Sequence, residues 1–508
     1  MLYIITSNKM LKIKPLFIDT IFSNSFMLSP LIKFLCASLF LQLLLSGTHS
    51  ALASNNALPE LAPISDSTEI ITVNRIIIAG NKKTKPHIIT RELTFQEGDS
   101  VVSYIFFDAV KNSKNNLMNI ALFNFVDITP FETSPNHYDV LINVTERWYL
   151  FPFPVFELAD RNFNEWLSYK DFSRVSLGVN IKQENFRGRD EIVQLNVVGG
   201  YTQKLGIYYT IPYFNKKQNL GLTFAFYSTR NHEIAYNSIN NKLVFFKDEN
   251  EFVRQEYTAY FRLTKRRAMY NFYNTTFEFR KSEISDTIVS LNPKYFVNNS
   301  NQQNYAALTW SYRYDRRDYQ PFPSNGYMFE FETTKIGFGI AKNSPNLIFV
   351  STGFRKFQQV TPRINLSGAV KFRITQKPDA PYYNQKALGY QGDYIRGYDY
   401  YVLNGQNFAL FRSSVRFTIL KTKEYVLPYI RSEKFNRVPI SLHVVGFFDA
   451  GKVTDNVFGD QNPLSNTWQT SYGGGLSYVT YYDLVFRLEY CWNKVGESGF
   501  FFRIGSAF

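Results

Sequence analysis

The sequence is poor in cysteine and histidine, and these shortages exclude several kinds of site. Its two cysteines, Cys36 and Cys491, are too few for a disulfide framework or a cysteine-rich metal cluster. The five histidines stand in no metal-ligand spacing, such as two histidines separated by three residues, and none lies beside a pair of cysteines. We therefore expect no metal site.

Catalytic motifs are also missing. The chain has no Gly-x-Ser-x-Gly turn that would present a nucleophilic serine, and no glycine-rich phosphate loop that ends in Gly-Lys-Ser or Gly-Lys-Thr. The acid pair Asp315 and Asp318 stands beside arginines, which favours a turn held by salt bridges over a catalytic pair. We expect neither enzyme activity nor a cofactor.

A membrane-spanning helix needs an apolar run of roughly 20 residues. Outside the N-terminal region the sequence has no run near that length. The chain nevertheless has 35 tyrosines and 48 phenylalanines, while its mean hydropathy is only -0.23. In a transmembrane β-barrel alternate residues face lipid and lumen, so the averaged hydropathy cancels. The composition therefore favours a barrel over a helical membrane protein.

The net charge of +14 has two interpretations. It is consistent with solvated loops and a polar lumen, or with attraction to anionic headgroups or nucleic acid. The basic residues are scattered, as at Lys216 and Lys217, and no nucleic-acid-binding motif surrounds them. We favour loops and lumen, and expect no nucleic-acid partner.

The N-terminal region carries an export pattern. Residues 31–45 form an apolar segment with Lys33 near its start, and Ala51 and Ala53 supply a small-x-small cleavage site. We predict a signal peptide over 1–53, with Met27 as an alternative start, and a polar linker over 54–69. A single anchoring helix is the alternative.

Residues 70–148 mix strand and helix patterns. The β-branched segment 71–79 ends at the turn residues Gly80 and Asn81. Apolar residues recur at helical spacing between Tyr104 and Leu122, and segments 123–129 and 138–144 alternate as strands. We predict one small α+β domain with the order β-α-α-β-β.

From residue 149 to 508 the pattern is one alternating strand after another, separated by turns rich in Asn, Gly, Lys and Asp. Arg487 and Glu489 fall on the inward face of one such strand, which suits a wet lumen because charges in a dry core are costly. The chain ends on a strand that places Phe502, Ile504 and Phe508 on one face. We predict an all-β transmembrane barrel of about sixteen antiparallel strands. A soluble all-β array is the alternative.

These segments resemble a known superfamily. The stretch from Val73 to Asn81, with the segments that follow it, looks like a POTRA domain. The remainder resembles the bacterial surface-antigen, or BamA/TamA, superfamily of outer-membrane proteins. Four motifs carry the second resemblance: residues 184–189 with 211–214, a turn with Asp315, Arg317 and Asp318, a loop tip of Tyr394, Ile395, Arg396, Gly397 and Tyr398, and a strand with Phe447, Asp449 and Gly451.

The resemblance implies site residues. The loop tip would lie in the lumen against the strand of Phe447 and Gly451, with the Arg396 guanidinium paired to Asp449 as a planar fork. Where the family often has a second acid, this chain has Ser413 and Ser414. The edge of the POTRA domain would accept client segments by strand addition; its predicted residues are Arg75, Ile76, Ile77, Ile78, Gly80 and Asn81.

The resemblance also implies a function. We expect an assembly and insertion factor in the outer membrane of a Gram-negative-type bacterium, with its POTRA domain in the periplasm. A seam between the first strand (150–158) and the last (499–508) would open sideways to clients. The expected partners are outer-membrane lipids and unfolded outer-membrane or secreted proteins, with accessory periplasmic or lipoprotein subunits as a further class. A secretion transporter of the two-partner type and a passive porin-like barrel are the alternatives.

Overall fold

The computed structural model describes residues 69–158, 175–339, 341–377, 379–390, 392–430 and 436–505. These residues belong to one unit, Ser67–Phe508. The predicted signal peptide, the predicted linker up to residue 68, and Phe508 lie outside the described residues.

The N-terminal domain, called here the POTRA-like domain, is a four-stranded sheet with two helices. Its order along the sheet is β2-β1-β4-β3, and β1 and β4 run parallel. The predicted order lacked β2, which is a strand of only three residues between the helices. The elements are β1 (Ile70–Ala79), α1 (Pro86–Thr90), β2 (Ser100–Val102), α2 (Ser103–Asn119), β3 (Phe123–Ser134) and β4 (His137–Glu146).

The core of this domain lies between the helices and the sheet. Phe106 and Leu117 of α2 are fully buried, as are Val73 of β1 and Val140 and Ile142 of β4. Residues 140, 142 and 144 share one face because side chains alternate along a strand. This apolar layer holds the domain together.

The predicted client-binding edge lies on β1, a strand that β2 covers on one side over only three residues. β1 is an inner strand that pairs with β4 on one side and with β2 over Ile70–Thr72 on the other. Past Thr72 the second side of β1 pairs with no strand among the described residues, although Glu97 accepts a hydrogen bond from the Ile76 amide at 2.7 Å. The long outer strand is β3. The predicted edge residues Arg75, Ile76, Ile77 and Ile78 lie on this part of β1 beyond β2, with Gly80 and Asn81 in the following turn.

The rest of the chain forms one sixteen-stranded antiparallel sheet in which successive strands are neighbours. Two small hairpins, β10–β11 and β18–β19, lie outside it. The strands are β5 (Leu150–Leu158), β6 (Val175–Phe186), β7 (Glu191–Gly200), β8 (Thr202–Ile211), β9 (Leu220–Asn231), β10 (Glu233–Ile239), β11 (Lys242–Lys247), β12 (Arg254–Arg267), β13 (Asn271–Ile284), β14 (Gln302–Asp315), β15 (Gly326–Ile336), β16 (Leu347–Gln359), β17 (Ile364–Thr375), β18 (Lys386–Leu388), β19 (Leu403–Asn404), β20 (Asn407–Val426), β21 (Arg437–Thr454), β22 (Trp468–Val479), β23 (Val485–Asn493) and β24 (Ser498–Ile504).

Short helices occupy the connections. They are α3 (Asp286–Leu291) and the 3₁₀ turns Val297–Asn299, Tyr382–Asn384, Gly459–Gln461 and Tyr481–Asp483. None of the helices in the described ranges is long and apolar enough to cross a membrane.

The sheet is rolled, with an apolar outer face and a polar inner face. Phe224, Phe277 and Phe502 are exposed on the outside, whereas Arg487 and Glu489 are almost completely buried on the inside. A polar cavity of about 460 Å³ is lined by neighbouring strands from β8 to β17. The alternation predicted from the sequence therefore separates a surface suited to lipid from a wet lumen.

The two ends of the sheet are β5 and β24. Among the described residues β5 pairs only with β6, and β24 pairs only with β23. Phe502 and Ile504 of β24 point outward and are 41% and 62% exposed. At the predicted seam, β5 and β24 are therefore two sheet edges that pair with no further strand among the described residues.

The POTRA-like domain contacts turns at one end of the rolled sheet. These turns follow the second, eighth and fourteenth strands in sheet order, so the contacts are spread around the mouth. The turns also meet each other, since the Tyr319 hydroxyl donates to the Asp483 carboxylate. The domain contacts are the Lys85 amide with the Gly188 carbonyl at 2.9 Å, the Asn119 amide group with the Asp318 carbonyl at 3.1 Å, and Arg147 with Asp483 at 2.8 Å.

A buried ion pair strengthens this contact. Arg266, at the end of β12, donates to both carboxylate oxygens of Glu92 at 2.6 and 2.7 Å. Burial disfavours the charged carboxylate, but the hydrogen bonds and charge of Arg266, together with Arg91, outweigh it and hold the pKa of Glu92 below its ordinary value. Glu92 is therefore an ionised anchor between the domain and the sheet.

The opposite mouth is bridged by loops. Asn241, at the tip of the β10–β11 hairpin, is completely buried, and its amide donates to the Asn462 side chain at 2.8 Å. Its own side chain donates to the Val402 carbonyl at 3.1 Å and accepts from the Leu464 amide at 2.8 Å. The hairpin follows the fifth strand of the sheet and Asn462 follows the thirteenth, so these contacts cross the mouth.

Glu92→Gln should loosen the POTRA-like domain, because it leaves two arginines without their shared carboxylate. Removing one partner of a buried pair costs about 3 kcal/mol or more. Because the pKa of Glu92 is lowered, its carboxylate stabilises docking at pH values above the ordinary pKa near 4.5. This stabilisation is lost as the pH falls through the folded-state pKa. In a Cys491→Ala background, spin labels at Thr133 and Lys217 should give broader distance distributions in the variant at pH 7.

The matched control is Asp127→Asn, which removes an exposed acid that pairs with Lys114 inside the domain. Its spin-label distance distributions should match those of the unaltered protein. In both proteins these distributions should broaden only at acid pH, where Glu92 is protonated. Distributions in Glu92→Gln that stay as narrow as in the control would contradict the anchor.

Candidate functional site

The long connection between β17 and β20 folds back into the lumen. Its two arms pair through β18 and β19, and the segment between them forms the tip. Leu388, Ile395 and Tyr398 pack in one buried cluster with Phe408 and Val453 of the wall strands. This apolar packing seats the tip against the inner face of the sheet.

Arg396 at the tip forms a bidentate ion pair with Asp449 of β21. Its Nε and Nη2 atoms donate to the two carboxylate oxygens at 2.8 and 2.5 Å, and its backbone amide adds a bond at 3.0 Å. Both side chains are completely buried, and the guanidinium lies 4.0 Å from the Phe447 ring centroid. The structure thus brings together the tip and the wall residues named from the sequence.

The remaining donors of Arg396 are also satisfied. Its Nη1 donates to the Ser414 hydroxyl at 3.2 Å and its Nη2 to the Ser413 carbonyl at 3.0 Å, so the two serines fill the place where the family often has an acid. A second carboxylate does exist, but it lies on β23: Glu489 is 4.0 Å from Nη1. A buried arginine requires this completeness because an unpaired charge there is costly.

Two glycines allow the close approach. Gly397 has a φ of +81°, in the left-handed region that favours glycine, so the chain turns directly after Arg396. At Gly451 a Cβ would stand 2.7 Å from the Ile395 side chain. Tyr398 completes the seat, since its hydroxyl accepts from the Lys494 amide at 3.2 Å and lies 3.1 Å from Gln469.

The tip also reaches the last hairpin. The Tyr394 hydroxyl accepts from Arg487 of β23 at 3.2 Å, and Arg487 donates to Glu489 at 3.0 Å. Arg503 of β24 donates to Glu489 at 3.0 Å and to Asp399, just after the tip, at 2.6 Å. Sequence reasoning had placed Glu489 on the inward face but had assigned no role to Asp399 or Arg503.

The mid-barrel turn belongs to the mouth that the POTRA-like domain covers. Arg317 donates to both oxygens of Asp315 at 2.8 and 2.7 Å. The Asp318 carboxylate accepts from the backbone amides of Tyr319, Ser324 and Asn325 at 2.9 to 3.0 Å. This geometry is that of a turn held by salt bridges and amide capping, as expected.

The site as a whole is a charge-paired anchor. Each carboxylate in it, Asp449, Glu489 and Asp399, has a guanidinium within hydrogen-bond distance. Such an arrangement fixes a loop to a wall, and the hydrogen bonds to charged groups make it strong.

Asp449→Asn should release the tip, because it leaves the Arg396 charge without its fork partner in a buried position. Cys491 lies 1% exposed directly beneath Gly397, so it reports on the docked tip. We expect its reaction with a water-soluble maleimide to accelerate by about a hundredfold, in line with a loss of ~3 kcal/mol at ~1.4 kcal/mol per factor of ten.

Glu330→Gln is the matched control, since Glu330 pairs with Arg355 on the same inner face but both are partly exposed. It should leave the labelling rate unchanged. Equal rates in the two variants would show that the Arg396–Asp449 pair does not hold the tip.

Comparisons with known proteins agree with this architecture. Residues 185–508 match the model of the Omp85 superfamily domain, and residues 71–147 match the POTRA model, described as a surface antigen variable number repeat. Among curated proteins none matches the chain.

A solved structure that matches the chain shares its fold, and a second structure also matches. CdiB from Escherichia coli is 11% identical with a TM-score of 0.51, covering 86% of this chain and 76% of its own. BamA from Haemophilus ducreyi lacking POTRA domains 1-3 is 16% identical with a TM-score of 0.46, covering 86% and 84%. Because the first family match spans more than half of the 508 residues, this chain belongs to the Omp85 superfamily, whose bacterial outer-membrane barrels carry periplasmic POTRA domains and insert or translocate proteins.

Proposed function

We propose that this protein inserts client β-barrel proteins into the outer membrane through the seam between β5 and β24. One observation carries the proposal. Both mouths of the barrel are bridged by contacts across them, whereas β5 and β24 have no strand partner across the seam among the described residues. The unpaired edges are therefore the place where a client segment would find hydrogen-bonding groups.

The driving force follows from the bilayer. A strand edge in lipid exposes backbone N–H and C=O groups that no water can satisfy, and each such group costs several kcal/mol. A client strand that pairs with β24 or β5 satisfies both its own groups and those of the edge. We therefore propose that insertion requires no catalytic residue and no cofactor.

The POTRA-like domain would receive the client first. Its outer strand β3 presents one side to solvent in the sheet order, and so does β1 beyond the short β2. Strand addition at such an edge gives affinity through main-chain hydrogen bonds with little sequence preference. In this proposal β3 is the principal docking edge, and the predicted residues 75–80 of β1 and its turn form a second one.

Secretion through the lumen ranks second. An unfolded protein moving along the axis would have to displace the POTRA-like domain, the docked tip and the crossing loops, and their contacts include the buried Glu92–Arg266 and Arg396–Asp449 pairs. A passive pore would face the same obstruction. Sideways insertion needs only the seam.

Bridging the seam should abolish insertion. In a Cys491→Ala background, cysteines replacing the outward residues Phe153 of β5 and Phe500 of β24 are joined with a reducible bifunctional thiol reagent. Insertion of an outer-membrane barrel protein into liposomes should fall to the level of empty vesicles and return after reduction, because the edges are again available.

The control bridge joins Phe226 and Ala259, direct partners in β9 and β12 away from the seam. It should leave insertion unchanged. Insertion that continues with the seam bridged would refute the proposal, and export of a soluble polypeptide under the same conditions would favour the secretion transporter.

A further inference from the structure

We propose that Asp399 and Arg503 form a latch that holds the last strand, β24, on the docked loop tip. The role of the seam in this inference rests on the proposed function, whereas the contacts of Asp399 and Arg503 are observed in the structure. Undocking the tip and loosening the seam strand then become one event.

The latch is a buried ion pair between a loop and an edge strand. Arg503 donates to Asp399 at 2.6 Å and to Glu489 at 3.0 Å, and its guanidinium lies 4.5 Å from the Tyr394 ring centroid. The Asp399 and Glu489 side chains are each 3% exposed and that of Arg503 is 12% exposed. The ion pair is therefore shielded from solvent while the tip is docked.

Further contacts join the segment after the tip to the final hairpin. The Tyr401 hydroxyl donates to Glu497, in the turn before β24, at 2.7 Å, and the Tyr400 ring lies 5.8 Å from that of Phe501. Phe501 itself is buried with Phe447 and Cys491. The segment that follows Arg396 thus lies along the final hairpin over several residues, so the ion pair is part of a continuous interface.

Glu489 connects the latch to the tip anchor. One of its oxygens accepts from Arg503, and the other accepts from Arg487 and lies 4.0 Å from Arg396. The two arginines that hold the tip and the last strand therefore share a carboxylate. A change at either one alters the charge balance of the other, which is a physical route for coupling.

The latch matters because β24 is held weakly otherwise. It has seven residues and pairs with β23 alone in the described part of the chain. Arg503 acts from the lumen face, whereas the backbone N–H and C=O groups of β24 lie in the plane of the sheet. The latch therefore restrains the strand without occupying the groups that a client would use.

Hydrogen exchange of the detergent-solubilised full chain tests this proposal. Amides of β24 should exchange at least about tenfold faster in Asp399→Asn and in Arg503→Gln, a factor that corresponds to ~1.4 kcal/mol. Amides of β13 should not change. The double variant should be no faster than Arg503→Gln alone, because the two residues act through each other.

Asp393→Asn is the matched control: it removes an acid from the same loop that pairs with Lys371 of β17 at 2.9 Å. It should exchange as the unaltered protein does. Unchanged β24 exchange in Asp399→Asn, equal acceleration in the control, or additive effects in the double variant would each overturn the latch. If Arg503→Gln does not fold, Asp399→Asn decides, since it leaves Glu489 to pair with the arginine.

Client insertion by the same variants separates the latch from the proposed function. One outcome is that β24 exchanges faster in Asp399→Asn while the unaltered protein inserts no client. This outcome would support the latch and refute the proposed function. Insertion by the unaltered protein together with unchanged β24 exchange in Asp399→Asn would refute the latch alone.

Discussion

A buried guanidinium has to be paired, and this requirement organises the lumen. Arg396 is completely buried, so it is stable only where Asp449 and the two serine oxygens receive its donors together. Partial docking would leave the charge desolvated and unpaired. The tip is therefore either seated with its full set of partners or released to water, which gives the loop two discrete states.

The same reasoning applied to backbone groups distinguishes the mouths from the seam. At the mouths, the side chains of Asn241 and Asp318 accept hydrogen bonds from the amides of Leu464 and Ser324, and water is available to other groups. At the seam the edges of β5 and β24 face a medium that offers no hydrogen bonds. In the proposed function, the seam is therefore the place where a strand from another protein would add to the sheet.

Much of this architecture could be predicted from the pattern of the chain. Helical and strand periods separate the POTRA-like domain from the sheet, and the alternation of apolar and polar residues by itself predicts that Arg487 and Glu489 face inward. The pairing of Arg396 with Asp449 came from motifs in a resembling family. Strand order in the small domain could not be read, since a three-residue strand such as β2 shows no period and pairing between distant segments leaves no local signal.

The partners of Arg503 escaped sequence reasoning for a related reason. Alternation shows that Arg503 faces inward, but it does not show which acid lies opposite, because that depends on how deep the loop enters and which strands it meets. Asp399 and Arg503 are 104 positions apart and meet only after both the sheet and the loop have formed. Contacts of this kind need the folded lumen as well as the strand pattern.

In the proposed function the barrel opens sideways without chemical energy, so its seam has to be weak and yet closed to lipid. Backbone pairing across the seam would close it, but a client would then have to compete for the same groups. Side-chain ion pairs on the lumen face avoid this conflict, since Arg503 restrains β24 through Asp399 and Glu489 and leaves its backbone edge available. In the proposed mechanism the docked loop sets the strength of the seam, and a client strand would gain hydrogen bonds on β24 before any of those ion pairs has to break.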